Sequence, residues 1–231
     1  MVIVTGHRGC GTNGLGLGEP ENTLRSIQRA IDLGADQIEI DTHLTSDLQV
    51  VVIHDENVDR TTNGTGKVRD YTLKELRALD AGSGERIPTL AEVIDVVKGK
   101  VLLQVELKGR DVEDRVVQVI KESDMVEDVV LTSFRHGAVK RAKALESRLR
   151  TGVLFVCSPI NPTRLAHDAG ANNLHPNVDY VDVALVNSAH KEGLSVYVWN
   201  ADTEEKAREM LRLGVDAIGT NRLDVVLPLL R

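Results

Sequence analysis

The chain has 231 residues, and its 28 Lys+Arg against 35 Asp+Glu give a formal net charge of −7. That sign excludes a protein that neutralises nucleic-acid phosphates over a broad face. Hydrophobic residues at 42% and charged ones at 27% suit a folded chain rather than a disordered one, and aromatics at 3% leave aliphatics to fill the core.

In chain order, Met1-Val2-Ile3-Val4-Thr5 lacks a basic leader and an apolar stretch of adequate length, so it reads as the start of a first strand at 2–6 rather than as an export signal. A glycine-rich loop from Gly9 to Gly18 precedes a helix at 21–33 and a strand at 37–41. From Thr42 to Pro88 the rhythm breaks into a turn at Ser46-Asp47, an apolar run at 50–53, a Thr/Asn/Gly-rich loop at 61–66 and a short helix near 73–79. Loops in compact α/β units usually span about 2–6 residues, so this stretch is expected as an insertion at the C-terminal rim of the strands. Strands at 101–107, 129–133, 152–156, 172–175, 195–199 and 215–219 then alternate with helices at 112–122, 137–145, 180–192 and 203–213, after a helix at 90–98. Gly34, Gly99, Gly193 and Gly214 mark left-handed helix ends. Eight such units predict a closed α/β barrel, residues 1–231 as a single domain with the insertion at about 42–88. Cys10 and Cys157 cannot build a disulfide framework, and no run reaches the roughly 20 apolar residues of a bilayer span. The expectation is a cytoplasmic protein without stable membrane insertion, its oligomeric state open.

Side chains alternate along a strand, so Glu39 and Asp41 share one face while Ile38 and Ile40 take the other. The 101–107 strand repeats the device, with Gln104, Glu106 and Lys108 facing one way and Val105 and Leu107 the other. In a barrel the acids then point into the mouth at the C-terminal end, where barrel active sites lie. Three converging carboxylates repel unless a cation or proton intervenes, and all-oxygen ligands suit Mg²⁺ or Ca²⁺ better than Zn²⁺. The competing reading is a salt-bridge network with Lys108 and Arg8. His7-Arg8 ends the first strand and His54 closes the apolar run, which adds two proton carriers and a fork of donors for phosphate oxygens. Two histidines, an arginine, a lysine and a carboxylate-bound cation are the parts of a phosphoryl-transfer site. His175, in Leu174-His175-Pro176, sits where a proline stops a strand and either faces substrate or caps the strand. Trp199, the single tryptophan, is either core packing or an apolar wall for a substrate's alcohol. His43, His136, His167 and His190 read as surface or hydrogen-bonded histidines.

With these residues in place, the chain resembles the glycerophosphodiester phosphodiesterase family along nearly its whole length. The motifs are Gly6-His7-Arg8-Gly9, Pro20-Glu21-Asn22-Thr23, Gly34-Ala35-Asp36, Glu39-x-Asp41, Val52-Ile53-His54-Asp55, Asp59 to Gly66, Ile87-Pro88-Thr89-Leu90, Glu106-Leu107-Lys108, Leu174-His175-Pro176 and Val198-Trp199. The resemblance implies a TIM (β/α)8 barrel with a small insertion after the second strand. It implies one divalent cation, Mg²⁺ or Ca²⁺, on Glu39, Asp41 and Glu106, with His7 and His54 as the acid/base pair and Arg8 and Lys108 on the phosphate. It also implies a place in the site for Glu21, with Asn22 capping or orienting the helix that follows. The implied reaction is hydrolysis of a small-molecule glycerophosphodiester to an alcohol and glycerol 3-phosphate through a cyclic phosphate made by the substrate's own 2-hydroxyl. The alternatives are a lysophospholipase-D-like activity on lysophospholipids and a non-catalytic phosphodiester-binding barrel. Two departures from the family pattern, Asn221-Arg222-Leu223 after the last strand and Asn200-Ala201-Asp202 after Trp199, are expected to touch neither a metal ligand nor a histidine.

Overall fold

Eight parallel strands close on themselves in the computed structural model, which describes residues 2–12 and 16–231. Residue 1, in the predicted first-strand segment, and residues 13–15, in the predicted glycine-rich loop, lie outside the described residues. Among those described, the strands are β1 (Ile3–Gly6), β2 (Gln37–Leu44), β3 (Val50–Val52), β4 (Leu102–Leu107), β5 (Val129–Ser133), β6 (Arg150–Phe155), β7 (Asn173–Pro176), β8 (Ser195–Val198) and β9 (Ala217–Thr220). β1 pairs with both β2 and β9, which joins the ends of the ring, while β3 lies outside it, antiparallel to β2. The helices are α1 (Leu24–Leu33), α2 (Leu73–Leu76), α3 (Leu90–Val97), α4 (Glu113–Glu122), α5 (His136–Leu145), α6 (Pro162–Ala169), α7 (Val183–Lys191), α8 (Glu204–Leu213) and α9 (Leu223–Val226). This is a TIM barrel with helices between the strands.

The main core lies between strands and helices. Ile38, Ile40, Leu103, Val105 and Leu131 are fully buried in one apolar cluster with Ile27, Val93, Val116, Ile120 and Val139 of the helices. Each such side chain contributes about 1.5–3 kcal/mol by leaving water. The opposite faces of the same strands carry Thr5, Gln37, Gln104, Thr132, Asn173 and His175, all buried, so the barrel interior is polar.

The second strand runs longer than the 37–41 predicted. β2 continues three residues past Asp41 because Thr42, His43 and Leu44 pair with Val52, Val51 and Val50. Val51, Ile53, Val58, Val68, Leu76, Ala81 and Ile87 form a second apolar cluster beneath the loop, which fixes the end of β3 and with it His54.

Helix starts also differ from the periodicity. α1 begins at Leu24 because the Thr23 hydroxyl accepts from the Ser26 N–H and caps it. Asn22, expected to cap or orient α1, instead donates its amide to Asp41 Oδ2 at 2.9 Å. α7 begins at Val183, capped by Asp182, and Tyr180 lies in a separate 3₁₀ turn at Val178–Tyr180. α6 and α9 were not anticipated; α6 has Pro162 in its first turn and ends at Gly170 in the left-handed region. Trp199 lies one residue beyond β8 rather than inside it.

Candidate active site

Register brings the acids together. Asp41 and Glu106 are Cα partners across β2 and β4, with Glu39 opposite Gln104 on the same inward face. One oxygen from each of Glu39, Asp41 and Glu106 lies within 4.8 Å of the others. Burial, then the Asp41 and Glu106 charges, pushes Glu39 well above the usual carboxylate range. Burial and Asp41 likewise push Glu106 up to about 7. Burial acts on Asp41 in the same direction, but the Lys108 and Arg8 charges and the Asn22 amide outweigh it and hold that carboxyl at about 2. Like charges in a buried cleft raise one another's proton affinity, and this hard, all-oxygen donor set fits a divalent cation. The salt-bridge alternative is also built in: Lys108 Nζ lies 3.3 Å from Glu106 and 3.7 Å from Asp41, and Arg8 Nε 3.4 Å from Asp41. Two cations beside three acids leave negative charge over, so the pairs and a bound cation are compatible.

The two histidines flank this cluster with different partners. His54 Nδ1 lies 2.5 Å from Asp55 Oδ1, and its Nε2 lies 2.8 Å from Lys108 Nζ. His7 Nδ1 lies 2.7 Å from Asn221 Oδ1 and 3.2 Å from Asn200 Nδ2, while Nε2 lies 3.9 Å from Glu39. Asp202 accepts from the Asn221 side-chain amide and fixes its orientation, so His7 Nδ1–H donates to Asn221 Oδ1 and the Nε2 lone pair faces the acids. The expectation that residues 200–202 and 221–223 touch no histidine is therefore incorrect. Asn200, Asn221 and, through Asn221, Asp202 form the support of His7, folded against it from the far end of the chain. Burial, then Arg8, lowers His7 to about 4, and burial lowers His54 as well.

A chain of ion pairs links the remaining charged residues. Glu21 accepts from Arg8 at 2.8 Å and from Arg60 at 2.8 and 3.0 Å. Arg60 also donates to Asp55 at 2.7 Å, and Asp55 in turn holds His54. Glu21 thus faces two guanidiniums, and burial's upward push on its carboxyl is outweighed by the Arg60 hydrogen bond and the Arg8 charge. Arg60 lies in the quoted Asp59–Gly66 motif but was given no role; its spacing shows no periodicity that would place it beside Glu21.

His175 and Trp199 stand across the cavity from the acids, with Phe134, Leu154 and Tyr197. His175 is 1% exposed, its ring 5.1 Å from that of Tyr197, and burial lowers its pKa to about 3. Its ring fills the space above Gly152, where a Cβ would lie 2.3 Å from its Nε2. Trp199 donates its indole N–H to the His175 carbonyl and meets Phe134 edge-on at 5.6 Å. His43, set aside from the sequence, bonds through Nε2 to the His54 carbonyl at 3.1 Å.

Known proteins share this family and this fold. The sequence profile of the glycerophosphoryl diester phosphodiesterase family matches residues 7–225. The glycerophosphodiester phosphodiesterase of Caldanaerobacter subterraneus subsp. tengcongensis is 38% identical over 100% of this chain and 98% of its own. A phosphodiesterase of Oleispira antarctica, solved in complex with the product sn-glycerol-3-phosphate, superposes with a TM-score of 0.87 at 29% identity, covering 98% of this chain and 95% of that one. The glycerophosphodiester phosphodiesterase of Agrobacterium tumefaciens superposes with a TM-score of 0.86 at 28% identity, over 99% and 100% of the two chains.

Proposed function

The chain belongs to the glycerophosphoryl diester phosphodiesterase family and is an enzyme of that activity, and from this premise we propose how its residues divide the reaction. Glu39, Asp41 and Glu106 would hold one divalent cation, Mg²⁺ or Ca²⁺, which when bound offsets their like charge and withdraws electrons from a phosphoryl oxygen. Arg8 and Lys108 hold the diester phosphate, and Glu21, itself steadied by Arg60, orients Arg8. Trp199 and His175 wall the side of the cavity away from the acids.

The partners of the two histidines separate their tasks. His54 is backed at Nδ1 by a carboxylate, which opposes the lowering by burial and favours an imidazolium. Once the substrate phosphate draws the Lys108 ammonium off Nε2, His54 carries there the proton that the leaving alcohol receives. His7 is backed by neutral amides and accepts a proton at Nε2 from the glycerol 2-hydroxyl. The hydroxyl oxygen bonds to phosphorus as the phosphorus–alkoxide bond breaks. Water then opens the cyclic phosphate with the proton roles reversed, leaving glycerol 3-phosphate. Attack from within the substrate makes the step effectively intramolecular and needs no protein nucleophile. The observation that carries this reading is the placement of two oriented imidazoles beside a triad of acids, Glu39 and Asp41 buried and Glu106 half-buried.

Assay of glycerophosphocholine, glycerophosphoethanolamine and glycerophosphoglycerol with Mg²⁺, Ca²⁺ or EDTA tests it. Hydrolysis that depends on the cation is expected. Turnover unchanged in EDTA would remove the cation from the scheme, and a protein that binds these diesters without cleaving them would be a binding barrel.

A further inference from the structure

In the scheme above His54 protonates the leaving alcohol, so that alcohol would lie in the space beyond His54. A hollow there shares His54, Glu106, Lys108 and Phe134 with the cavity over the acids and adds Glu56 and Arg135. It opens into a groove with which it shares His43, Glu56, Lys108 and Arg135, and which runs outward past Arg69 and Arg110. Shared residues therefore make one path from the reacting phosphate to the surface. Five basic side chains line the groove against three acidic ones, in a chain whose net charge is −7.

In the hollow itself the charges cancel in pairs except at one residue. Glu106 faces Lys108 at 3.3 Å, Asp55 accepts from Arg60 at 2.7 Å, and Glu56 lies 3.0 Å from Lys67. Burial lowers the pKa of His43, so its ring there is neutral. Arg135, half-buried just after β5, has no carboxylate partner among the described residues. Its Nη2 donates to the Leu107 carbonyl at 3.3 Å and to the Gly109 carbonyl, the two that flank Lys108. The Arg135 N–H donates to Ser133 Oγ at 3.1 Å, and that hydroxyl donates to the same Leu107 carbonyl at 2.8 Å, so the residue is fixed at both ends. Nε and Nη1 have no acceptor among the described residues. A guanidinium held in place with donors to spare is suited to gripping an anion at two points.

Resting on the role of His54 proposed above, we infer that Arg135 selects glycerophosphodiesters whose leaving alcohol carries an anionic group, a carboxylate or a second phosphate, over those whose alcohol carries an ammonium. Such an anion gives Arg135 the charge partner that the fold leaves out, whereas an ammonium in the same hollow meets it as a like charge. Arg135 touches the alcohol rather than the diester phosphate, so it acts on the choice of substrate and leaves the bonds made and broken at phosphorus unchanged.

The test is kcat/KM at neutral pH for four diesters of similar length: glycerophosphoethanolamine, glycerophosphoglycerol, glycerophosphoglycerate and glycerophosphoglycerol carrying a terminal phosphate. The wild type is expected to favour an anionic alcohol over the neutral one by about tenfold, mostly through KM, and to disfavour the ammonium. Raising the salt to about 1 M should shrink that ratio, since screening weakens the pair. Whether the carboxylate or the phosphate gains more identifies which anion Arg135 takes. Arg135→Gln should bring the ratio to about one, and Arg135→Lys, which keeps the charge without the fork, should retain part of it. The ratio is read within each variant, so a loss common to all four diesters, from the freed Leu107 and Gly109 carbonyls, cancels. A wild-type ratio near one, or a full ratio in Arg135→Gln, overturns the inference. Should Arg135→Gln fail to fold by circular dichroism, a ratio in Arg135→Lys equal to wild type and indifferent to salt overturns it instead. If no diester is hydrolysed, the reading of the catalytic site fails, and titration of Trp199 fluorescence with the same diesters decides. Tighter binding of the anionic diesters that Arg135→Gln loses still supports the selection, and equal binding of all four overturns it.

Discussion

The two halves of the barrel mouth are made of opposite materials. Over β1, β2 and β4 stand three acids, two histidines and the cationic Arg8 and Lys108, all within ion-pair distance of a neighbour in the group; over β5 to β8 stand Phe134, Leu154, Tyr197 and Trp199, with one neutral imidazole among them. A charged group in a buried cleft needs partners at defined atoms, so each of these side chains has one: Asp41 takes Asn22, His54 takes Asp55, Arg8 takes Glu21, and His7 takes Asn221. Apolar groups need only to be covered. The charged half is therefore held atom by atom, and the apolar half by packing alone.

Substitutions in the charged half should cost far more turnover than any in the apolar half. Asp41→Asn removes a proposed cation ligand and one of the two carboxylate partners of both Lys108 and Arg8, and kcat should fall by about 10³-fold or more, the scale of several kcal/mol of lost charge stabilisation. Calorimetry should show the loss of Mg²⁺ or Ca²⁺ binding at the same time. His7→Ala and His54→Ala should each lower kcat by about 10²-fold or more with the far-UV circular dichroism unchanged. Loss of helical signal along with activity would make that histidine structural.

Asn221→Ala tests whether the support behind His7 matters. It leaves every reacting group in place but frees the imidazole to turn, so kcat should drop by about tenfold with KM little changed. An Asn221→Ala enzyme as fast as wild type would mean that burial alone orients His7.

The acid cluster was legible from sequence because it obeys a local rule: alternation in Glu39-x-Asp41 and in Gln104-x-Glu106 places inward residues two apart, and eight βα units supply the barrel that brings those strands together. The supports of the site were not legible, since no local periodicity marks a contact such as His7 with Asn221, 214 residues apart, or Asn200 with His7, 193 apart. β2 outran its predicted end because Thr42–Leu44 are held by pairing with β3 across a turn rather than by their own sequence.

The smallest effect belongs to His175 on the apolar side. Burial lowers its folded pKa to about 3 from an ordinary value of 6.5, so below pH 6.5 the unfolded chain gains a proton that the folded one refuses. Stability should then fall as pH falls, by about 1 kcal/mol between pH 7 and 5.5 from this group. Urea unfolding in EDTA at the two pH values should show that increment in the wild type and lack it in His175→Gln. Equal losses in both proteins would place the pH dependence elsewhere.

Phosphorus-31 NMR of glycerophosphocholine turnover, run beside its 2-deoxy analogue, tests the central claim that the substrate's own hydroxyl attacks phosphorus under His7 and His54. A transient cyclic phosphate signal giving way to glycerol 3-phosphate is expected, with the 2-deoxy compound competing for the site but reacting very slowly. A 2-deoxy compound hydrolysed as fast as its parent, with no cyclic signal, would contradict the claim and make water the direct nucleophile.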